Sequence, residues 1–458
     1  MLRLATTPTA EMMFQRSLMS ARRYSQQVGV GSAFIEEAGR FLAKKGESQD
    51  ETFAVCKYRV PPVVVVPTVQ QSVVVPDTID FGFAIKVLLN TKPSDLCIAS
   101  LDMPNKEVLI ELANLAKMKK AISEPLSITL LGAPHPDKWD HVKHGQKHVN
   151  SITNTIERDP MQEHNVFFGK TSQLSWNHSK YFIADSRLIL GGINFDPSHY
   201  QAGVADIALM FDSPELALFT KHHMYMQCEQ IAARSNDWSP TSRNWASHVI
   251  KDFDELSLGP VVGEYHSQCL VAIDSKVAKK GEGQAASKII PWLIDKAESE
   301  ICISQQDLGF SLLALSLLRP YFGSKAGILR PFESLANSLG KLFVREIMES
   351  LNKAVIRGVK VKIVLSADGV KVNGIPYYYL GHKETERYLH VNIDKKHHHL
   401  LEVIPAPKGN HMKAIVVDRR LSLIGSKNMY PTNLDDTVVI IEDEGVSDTI
   451  LKVIEAAT

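Results

Sequence analysis

The chain has 458 residues, enough for two domain-sized units around a large shared core. Lys plus Arg and Asp plus Glu both number 51, so the formal charge is zero, which excludes the global basic field of a typical nucleic-acid binder. Cys56, Cys97, Cys228, Cys269 and Cys302 are odd in number and show no CxxC spacing, arguing against both a disulfide framework and a zinc site.

The opening stretch "MLRLATTPTAEMMFQRSLMSARRYSQQ" has four arginines and a single acid, Glu11. It resembles a mitochondrial presequence, with Arg-Arg-Tyr-Ser as a processing site. An ordinary packing helix or a bacterial secretion signal are the alternatives, so the compartment stays open. Residues 1–51 are expected to form an N-terminal extension. "PPVVVVPTVQQSVVVP" is apolar but broken by prolines and glutamines, and reads as an extended edge or connection. No window approaches a transmembrane segment, so any membrane contact is expected to be peripheral.

A first unit is expected over 52–254. It starts with the strand "SDLCIASLDM", the helical stretch "NKEVLIELANLAKMKK" and the strand "LSITLLGA". A His-dense segment, "HVKHGQKH", precedes "WNHSKYFIADSRLILGGIN", where strand alternation puts His178 and Lys180 on one face. "ADIALMFDSPELALFTKHH" then runs acid, apolar strand, acidic turn and helix. After a seam near "ELSLGPVVGEYHSQ", a second unit over 255–458 repeats the series. "SEICISQQDL" matches the first strand, and the helical stretch "LANSLGKLFVREIMESLNKAVIRG" and the strand "VKVKIVLSA" follow it. "GNHMKAIVVDRRLSLIGSKN" repeats the spacing of His178, Lys180 and Asp185 at His411, Lys413 and Asp418. "DDTVVIIEDEGVSDTILKVI" closes the copy. A whole unit has been duplicated, and alternating strands and helices predict an α/β sandwich around a mixed sheet in each.

These paired HxKxxxxD motifs, each followed by Gly-Gly or Gly-Ser and then Asn, resemble the phospholipase D superfamily. The resemblance covers nearly all of the chain from about Thr52 onward. It implies a bilobed fold of two α/β/α units related by a pseudo-twofold axis, with one active site at their interface. It also implies cleavage of a phosphodiester through a phosphohistidine. Elementary chemistry agrees: one neutral imidazole attacks phosphorus, and the other, protonated, serves the leaving oxygen and then acts as base. The motif residues His178, Lys180, Asp185, His411, Lys413 and Asp418 form the expected catalytic set, although Asp185 and Asp418 sit at a strand turn where a structural task fits better. Asn194, Asn428 and Ser426 are the candidate phosphate donors. Asp206 and Asp436, each opening the strand after its motif, match the family's His-orienting acids. By resemblance, His178 is the nucleophile and His411 the acid and base. The scheme calls for no metal and no other cofactor.

Five residues separate Asp185 from its glycine pair, against six between Asp418 and Gly425, a shortening that could shift Asn194. "DKKHHH" (Asp394 to His399) and "HVKHGQKH" are read as solvated loops over the site that could meet a phosphate or headgroup. "GFSLLALSLLRPYFGSKAGILRPF" could receive acyl chains or be a buried helix and loop, and Gln305 and Gln306 could face the pocket. The leading expectation is a phospholipase D that hydrolyses a glycerophospholipid substrate to phosphatidic acid. The alternative is a phosphatidyltransferase of the cardiolipin or phosphatidylserine synthase kind. A nuclease comes third, and would need Lys143, Lys147, Lys395 and Lys396 to build a local basic groove.

Overall fold

The fold is that of a computed structural model, which describes residues 32–58, 64–68, 75, 78–101, 106–133, 162–169, 177–195, 204–233, 245–246, 267–276, 283–309, 343–372, 375–376, 380–430, 432 and 434–458. The opening arginine-rich stretch, the "HVKHGQKH" segment and the apolar run after Gly309 lie outside the described residues.

In chain order the strands are β1 (Phe53–Tyr58), β2 (Val64–Pro67), β3 (Asp95–Ser100), β4 (Leu126–Gly132), β5 (Gln162–Phe168), β6 (Lys180–Ala184), β7 (Arg187–Gly191), β8 (Ile207–Asp212) and β9 (Trp245–Ala246). They continue with β10 (Ser267–Ser275), β11 (Gly283–Gln284), β12 (Glu300–Gln305), β13 (Lys360–Ser366), β14 (Lys371–Val372), β15 (Ile375–Pro376), β16 (Leu401–Ala406), β17 (Lys413–Val417), β18 (Leu421–Gly425) and β19 (Asp436–Glu442). The helices are α1 (Ala33–Lys44), α2 (Phe81–Asn90), α3 (Lys106–Ala121), α4 (Pro214–Ala233), α5 (Ala285–Asp295), α6 (Arg345–Ile356), α7 (His382–Asn392) and α8 (Glu444–Glu455).

Among the described residues, one large sheet runs β2-β8-β7-β6-β3-β4-β5-β9 and the other β1-β10-β19-β18-β17-β12-β13-β16. Strand for strand, β8-β7-β6-β3-β4-β5 of the first repeats β19-β18-β17-β12-β13-β16 of the second. In both, the motif strand is antiparallel to its inner neighbour, while the next pairs are parallel. The expected mixed sheets and bilobed phospholipase D-like architecture are therefore present. The two sheets share one core: Tyr181, Ile183, Leu190 and Leu209 of the first pack in the same cluster as Val271, Ala414, Ile424 and Val439 of the second. Leu216 and Met224 of α4 and Ile450 and Val453 of α8 join that layer. Alternate residues of the same strands point outward, Phe182 beneath α2 and α3 and Ile415 beneath α1, α5 and α6. Strands buried on both faces need apolar residues at every position, which is why the motif strands lack a polar alternation.

The boundary drawn at residue 52 is corrected. β1 pairs with β10, with Phe53 opposite Ala272 and Cys56 opposite Cys269, and so belongs to the second sheet. α1 packs there too through Ile35, Ala38 and Leu42, its first turn capped by Ser32 Oγ, which accepts from the Ile35 N–H at 3.0 Å. The physical reason is coverage. Phe53 faces the outer helices while Ala54, Cys56 and Tyr58 face the shared core, and the open edge of β10 is where both faces are buried at once. Among the described residues no helix is long and apolar enough to cross a membrane.

Candidate active site

Each motif starts in a short segment that crosses to the other half. Asn177 forms a bridge with Asp435, and the His178 N–H donates to the Asp435 carbonyl at 2.8 Å. In the matching place Asn410 bridges Ala205, and the His411 N–H donates to the Ala205 carbonyl at 2.7 Å. These crossings decide the side-chain pairing. His178 Nδ1 lies 2.8 Å from Asp436 Oδ1, and His411 Nδ1 lies 2.7 Å from Asp206 Oδ2. Each histidine thus meets the carboxylate of the opposite half, and its Nε2 is left as the nitrogen for chemistry. Both imidazoles are nearly buried, 6% and 7% exposed, low enough to exclude most bulk water.

Lys180 Nζ donates to the His178 carbonyl and Lys413 Nζ to the His411 carbonyl, the latter at 2.6 Å. Both lysines act electrostatically on both Asp206 and Asp436, so the two motifs occupy one site. Burial pushes the His178 imidazole down to about 4, with help from the Lys180 charge and against the pull of Asp436. Lys413 is lowered to about 8 by burial, against the two carboxylates. Asp206 is pushed up by burial to about 7 despite Lys413. Burial acts the same way on Asp436, but Lys427, His178 and Lys180 outweigh it and hold that carboxyl well below the usual range.

The glycines are needed at the closest approaches. A Cβ on Gly192 would lie 2.4 Å from Asp206 Oδ1 and 3.4 Å from the His411 carbonyl oxygen. Only hydrogen at that position lets the carboxylate come in behind the imidazole. The shortened spacing of the first motif is absorbed in its hairpin. Ala184 pairs with Arg187 across a two-residue turn, whereas Val417 pairs with Leu421 across three. Gly191 stays opposite Lys180, and Ala414 opposite Ile424 sets the equivalent register in the second half, so Asn194 keeps its place relative to Asn428. Both asparagines are buried and have a side-chain oxygen without a hydrogen-bond partner. Gln305, 0% exposed and next to Lys413 in register, has neither amide atom paired. Buried amide atoms without partners each cost about 1–3 kcal/mol, a cost that a polar group meeting them would relieve.

Three expectations are corrected. Asp185 and Asp418 do not join the catalytic set. They adopt left-handed turns with φ of 53° and 51° and point at the strand starts. Asp185 Oδ1 accepts from the N–H groups of Ser94 and Asp95, and Asp418 from those of Glu298, Ser299 and Glu300. One strand length, roughly 15 Å, separates them from the lysines. Ser426 is not a free phosphate donor, because its hydroxyl donates to Asp436 Oδ1 at 2.8 Å and accepts from the Thr437 N–H at 3.0 Å. "DKKHHH" forms a short exposed helix before β16, whereas the site lies beyond the other end of that strand, where Ser366 Oγ donates to the Asn410 carbonyl. It does not rise over the site, and Lys395 and Lys396 cannot line a groove there.

Two supports were missed. Asn177 Oδ1 accepts from the Ser179 N–H at 3.1 Å, and Asn410 Oδ1 from the Met412 N–H at 3.1 Å. Asn410 Nδ2 also donates to Ser304 Oγ and to the carbonyls of Gln305 and Val364. The repeated Asn-His step in both motifs was the available signal. Lys427, which ion-pairs with Asp274 at 2.9 Å and Asp436 at 3.5 Å, was the other omission.

Residues 338–457, which hold the second motif, match the family described as "Cardiolipin synthase, PLD-like domain". The fold is similar to that of phosphatidylserine synthase from Haemophilus influenzae, at 12% identity and a TM-score of 0.56, over 92% of this chain and 90% of that one. The second-motif segment is thus similar to a phospholipase D-like domain, and the fold as a whole to that of a phosphatidylserine synthase. Two further solved structures match with lower TM-scores. Polyphosphate kinase from Porphyromonas gingivalis is matched at 8% identity and TM-score 0.46, over 86% of this chain and 50% of that one. The phospholipase D family member Nuc from Salmonella typhimurium is matched at 17% and 0.25, over 41% and 92%. No curated protein sequence is a significant match.

The burial of these side chains predicts acid lability. Unfolded imidazoles bind protons below about 6.5. His178 and the buried His223, lowered to about 4 and about 3 by desolvation, refuse them in the folded state. Asp206 works the other way, since its raised carboxyl holds a proton that the unfolded chain has released. Two imidazoles against one carboxyl leave the unfolded chain with more bound protons from these groups, so stability should fall as the pH drops from about 6.5 toward 4. Denaturant midpoints measured at pH 7 and pH 5 check this, and an equal or higher midpoint at pH 5 would contradict it.

Proposed function

We propose that the protein is a phosphatidyltransferase, moving a phosphatidyl group from a phospholipid to an alcohol through a phosphohistidine. The observation that carries this reading is the match of the second-motif segment to a family named for cardiolipin synthase. The phosphatidylserine synthase fold neighbour is a weaker support, because it speaks to the fold alone. Hydrolysis to phosphatidic acid, the leading expectation from the sequence, has less behind it. The burial of both imidazoles also favours transfer, since a dry pocket lets an alcohol acceptor compete with water.

His178 Nε2 attacks phosphorus, and Asp436 steadies the cation that forms. His411 delivers a proton to the departing oxygen and then removes one from the acceptor hydroxyl. Lys180 and Lys413 flank the non-bridging oxygens, where Asn194, Asn428 and Gln305 have unused polar atoms to offer. The phospholipid reaches the site from a membrane surface by peripheral contact.

The test is mass spectrometry of mixed phospholipid vesicles incubated with protein and 1-butanol or glycerol, with His178→Ala as control. The expected result is phosphatidylbutanol or phosphatidylglycerol from wild type alone, exceeding phosphatidic acid, with the lost headgroup naming the donor. Phosphatidic acid as the dominant product at every alcohol concentration would return the protein to the hydrolases. No lipid product of either kind would overturn the lipid reading.

A further inference from the structure

The two halves of the site are not chemically equal. The residues that close each motif are Gly191, Gly192, Ile193 and Asn194 in the first half and Gly425, Ser426, Lys427 and Asn428 in the second. A third difference lies on the neighbouring strand. In the second sheet Asp274 stands directly opposite Asp436. In the first, Thr68 follows β2 beside Asp206 and donates its N–H to the Asp206 carbonyl at 3.2 Å.

Two carboxylates facing each other on adjacent strands repel unless a cation lies between them. Lys427 Nζ is that cation, 2.9 Å from Asp274 Oδ2 and 3.5 Å from Asp436 Oδ2, with its side chain only 8% exposed. Asp274 is itself held by the Ser287 N–H at 2.9 Å, in the first turn of α5. Asp436 therefore meets an ammonium, the Ser426 hydroxyl and His178. Asp206 meets the Ile207 N–H at 2.8 Å and His411, with an aliphatic side chain at the position of Lys427.

An ammonium behind Asp436 disfavours any proton on the His178 pair, whereas the first half carries the aliphatic Ile193 at the position of Lys427. Among the described residues, Lys180, Lys413 and Asp436 act on the His178 imidazole, Asp206 pairs with His411, and Lys427 and Asp274 stand behind Asp436. We propose that Lys427, anchored by Asp274, breaks the pseudo-twofold symmetry of the site, committing His178 to attack on phosphorus and leaving the exchanged proton to His411 and Asp206. The proposal rests on the phosphoryl-transfer reading above, with its two histidine roles, and adds Lys427 and Asp274 as the residues that hold those roles apart. The His178 Nε2 lone pair forms the bond to phosphorus as the bond to the leaving oxygen breaks, and that oxygen takes the proton from His411 Nε2. The acceptor hydroxyl then gives a proton to His411 while its oxygen attacks phosphorus. The electron pair of the P–N bond returns to His178. Lys427 touches no reacting atom and is a positioning residue.

The experiment uses the full chain and bis(4-nitrophenyl) phosphate, whose leaving group departs without a proton, with the phospholipid vesicles as a second substrate. His411→Ala should release a burst of one equivalent of nitrophenolate and stall, with the arylphosphoryl group found on the His178 peptide by mass spectrometry. His178→Ala should give no burst. Lys427→Met should lower turnover roughly tenfold or more and move the acid limb of the pH profile up by about one unit, with Lys427→Arg restoring the limb. A burst from His178→Ala with the adduct on His411 would overturn the assignment. So would a Lys427→Met protein with slower turnover but an unmoved limb, which is the mark of a merely structural residue. The histidine variants keep the proposal testable should Lys427→Met fail to fold. Wild type inactive on both substrates would defeat the transfer reading and this inference with it, whereas an active wild type with the wrong adduct would defeat the inference alone.

Discussion

His178→Ala and His411→Ala should each reduce turnover of the proposed phospholipid donor by about 10³-fold or more, the largest losses expected of any single changes in the chain. The reason is the proposed two-histidine cycle. Without His178 no covalent bond to phosphorus forms, and without His411 an alkoxide would have to leave unprotonated from a buried, poorly hydrated site. The effects should not add. The double variant should be about as slow as either single one, because removing one partner already stops the cycle. Each histidine also holds a buried carboxylate of the opposite half, at 2.8 Å for Asp436 and 2.7 Å for Asp206. Alanine leaves that carboxylate unpaired, so thermal unfolding should be measured beside activity, and glutamine is the control that preserves volume. Steady-state rates on vesicles decide the matter. A residual rate within tenfold of wild type for either folded variant would remove that histidine from the mechanism.

Lys180→Met and Lys413→Met should lower kcat by about 10²- to 10³-fold with a smaller change in KM. Charge on the non-bridging oxygens grows toward the transition state, and a buried ammonium acts there without the screening that water would supply. In the free protein each ammonium rests against the carbonyl of its own histidine, Lys413 at 2.6 Å. The charge is thus already in place before substrate arrives. Methionine keeps most of the volume, so both variants should fold, and they should bind vesicles as wild type does. Rates that remain near normal would place the lysines outside the phosphate site. Lys413→Arg should not rescue fully, because a planar guanidinium does not fit a pocket shaped for a compact ammonium at zero exposure.

Much of this site could be read from one sequence because duplication repeats its own evidence. His178, Lys180 and Asn194 recur as His411, Lys413 and Asn428 in two frameworks with the same order of strands. Apolar runs such as "KYFIA" and "KAIVV" announced fully buried strands, and the glycines after them announced close backbone approach. Periodicity and spacing are local properties, and a chain carries them without folding.

Pairing across the molecule is a different kind of fact. In sequence, Asp206 follows the first histidine and Asp436 the second, yet packing gives each histidine the other's carboxylate, because each motif enters its strand by bridging to the opposite half. The same holds for β1, which lies next to the first unit in sequence and joins the second sheet because both of its faces need cover. Asp185 and Asp418 share their motifs' spacing but turn toward strand starts, since a left-handed turn residue spends its carboxylate on nearby N–H groups. Lys427 and Asp274 are more than a hundred residues apart and meet only because β10 lies beside β19. The sequence by itself determined that one set of polar residue types comes twice in the same spacing. Only the tertiary structure decided which partner each would have, because hydrogen bonds and ion pairs depend on distance in space and chain order does not set that distance.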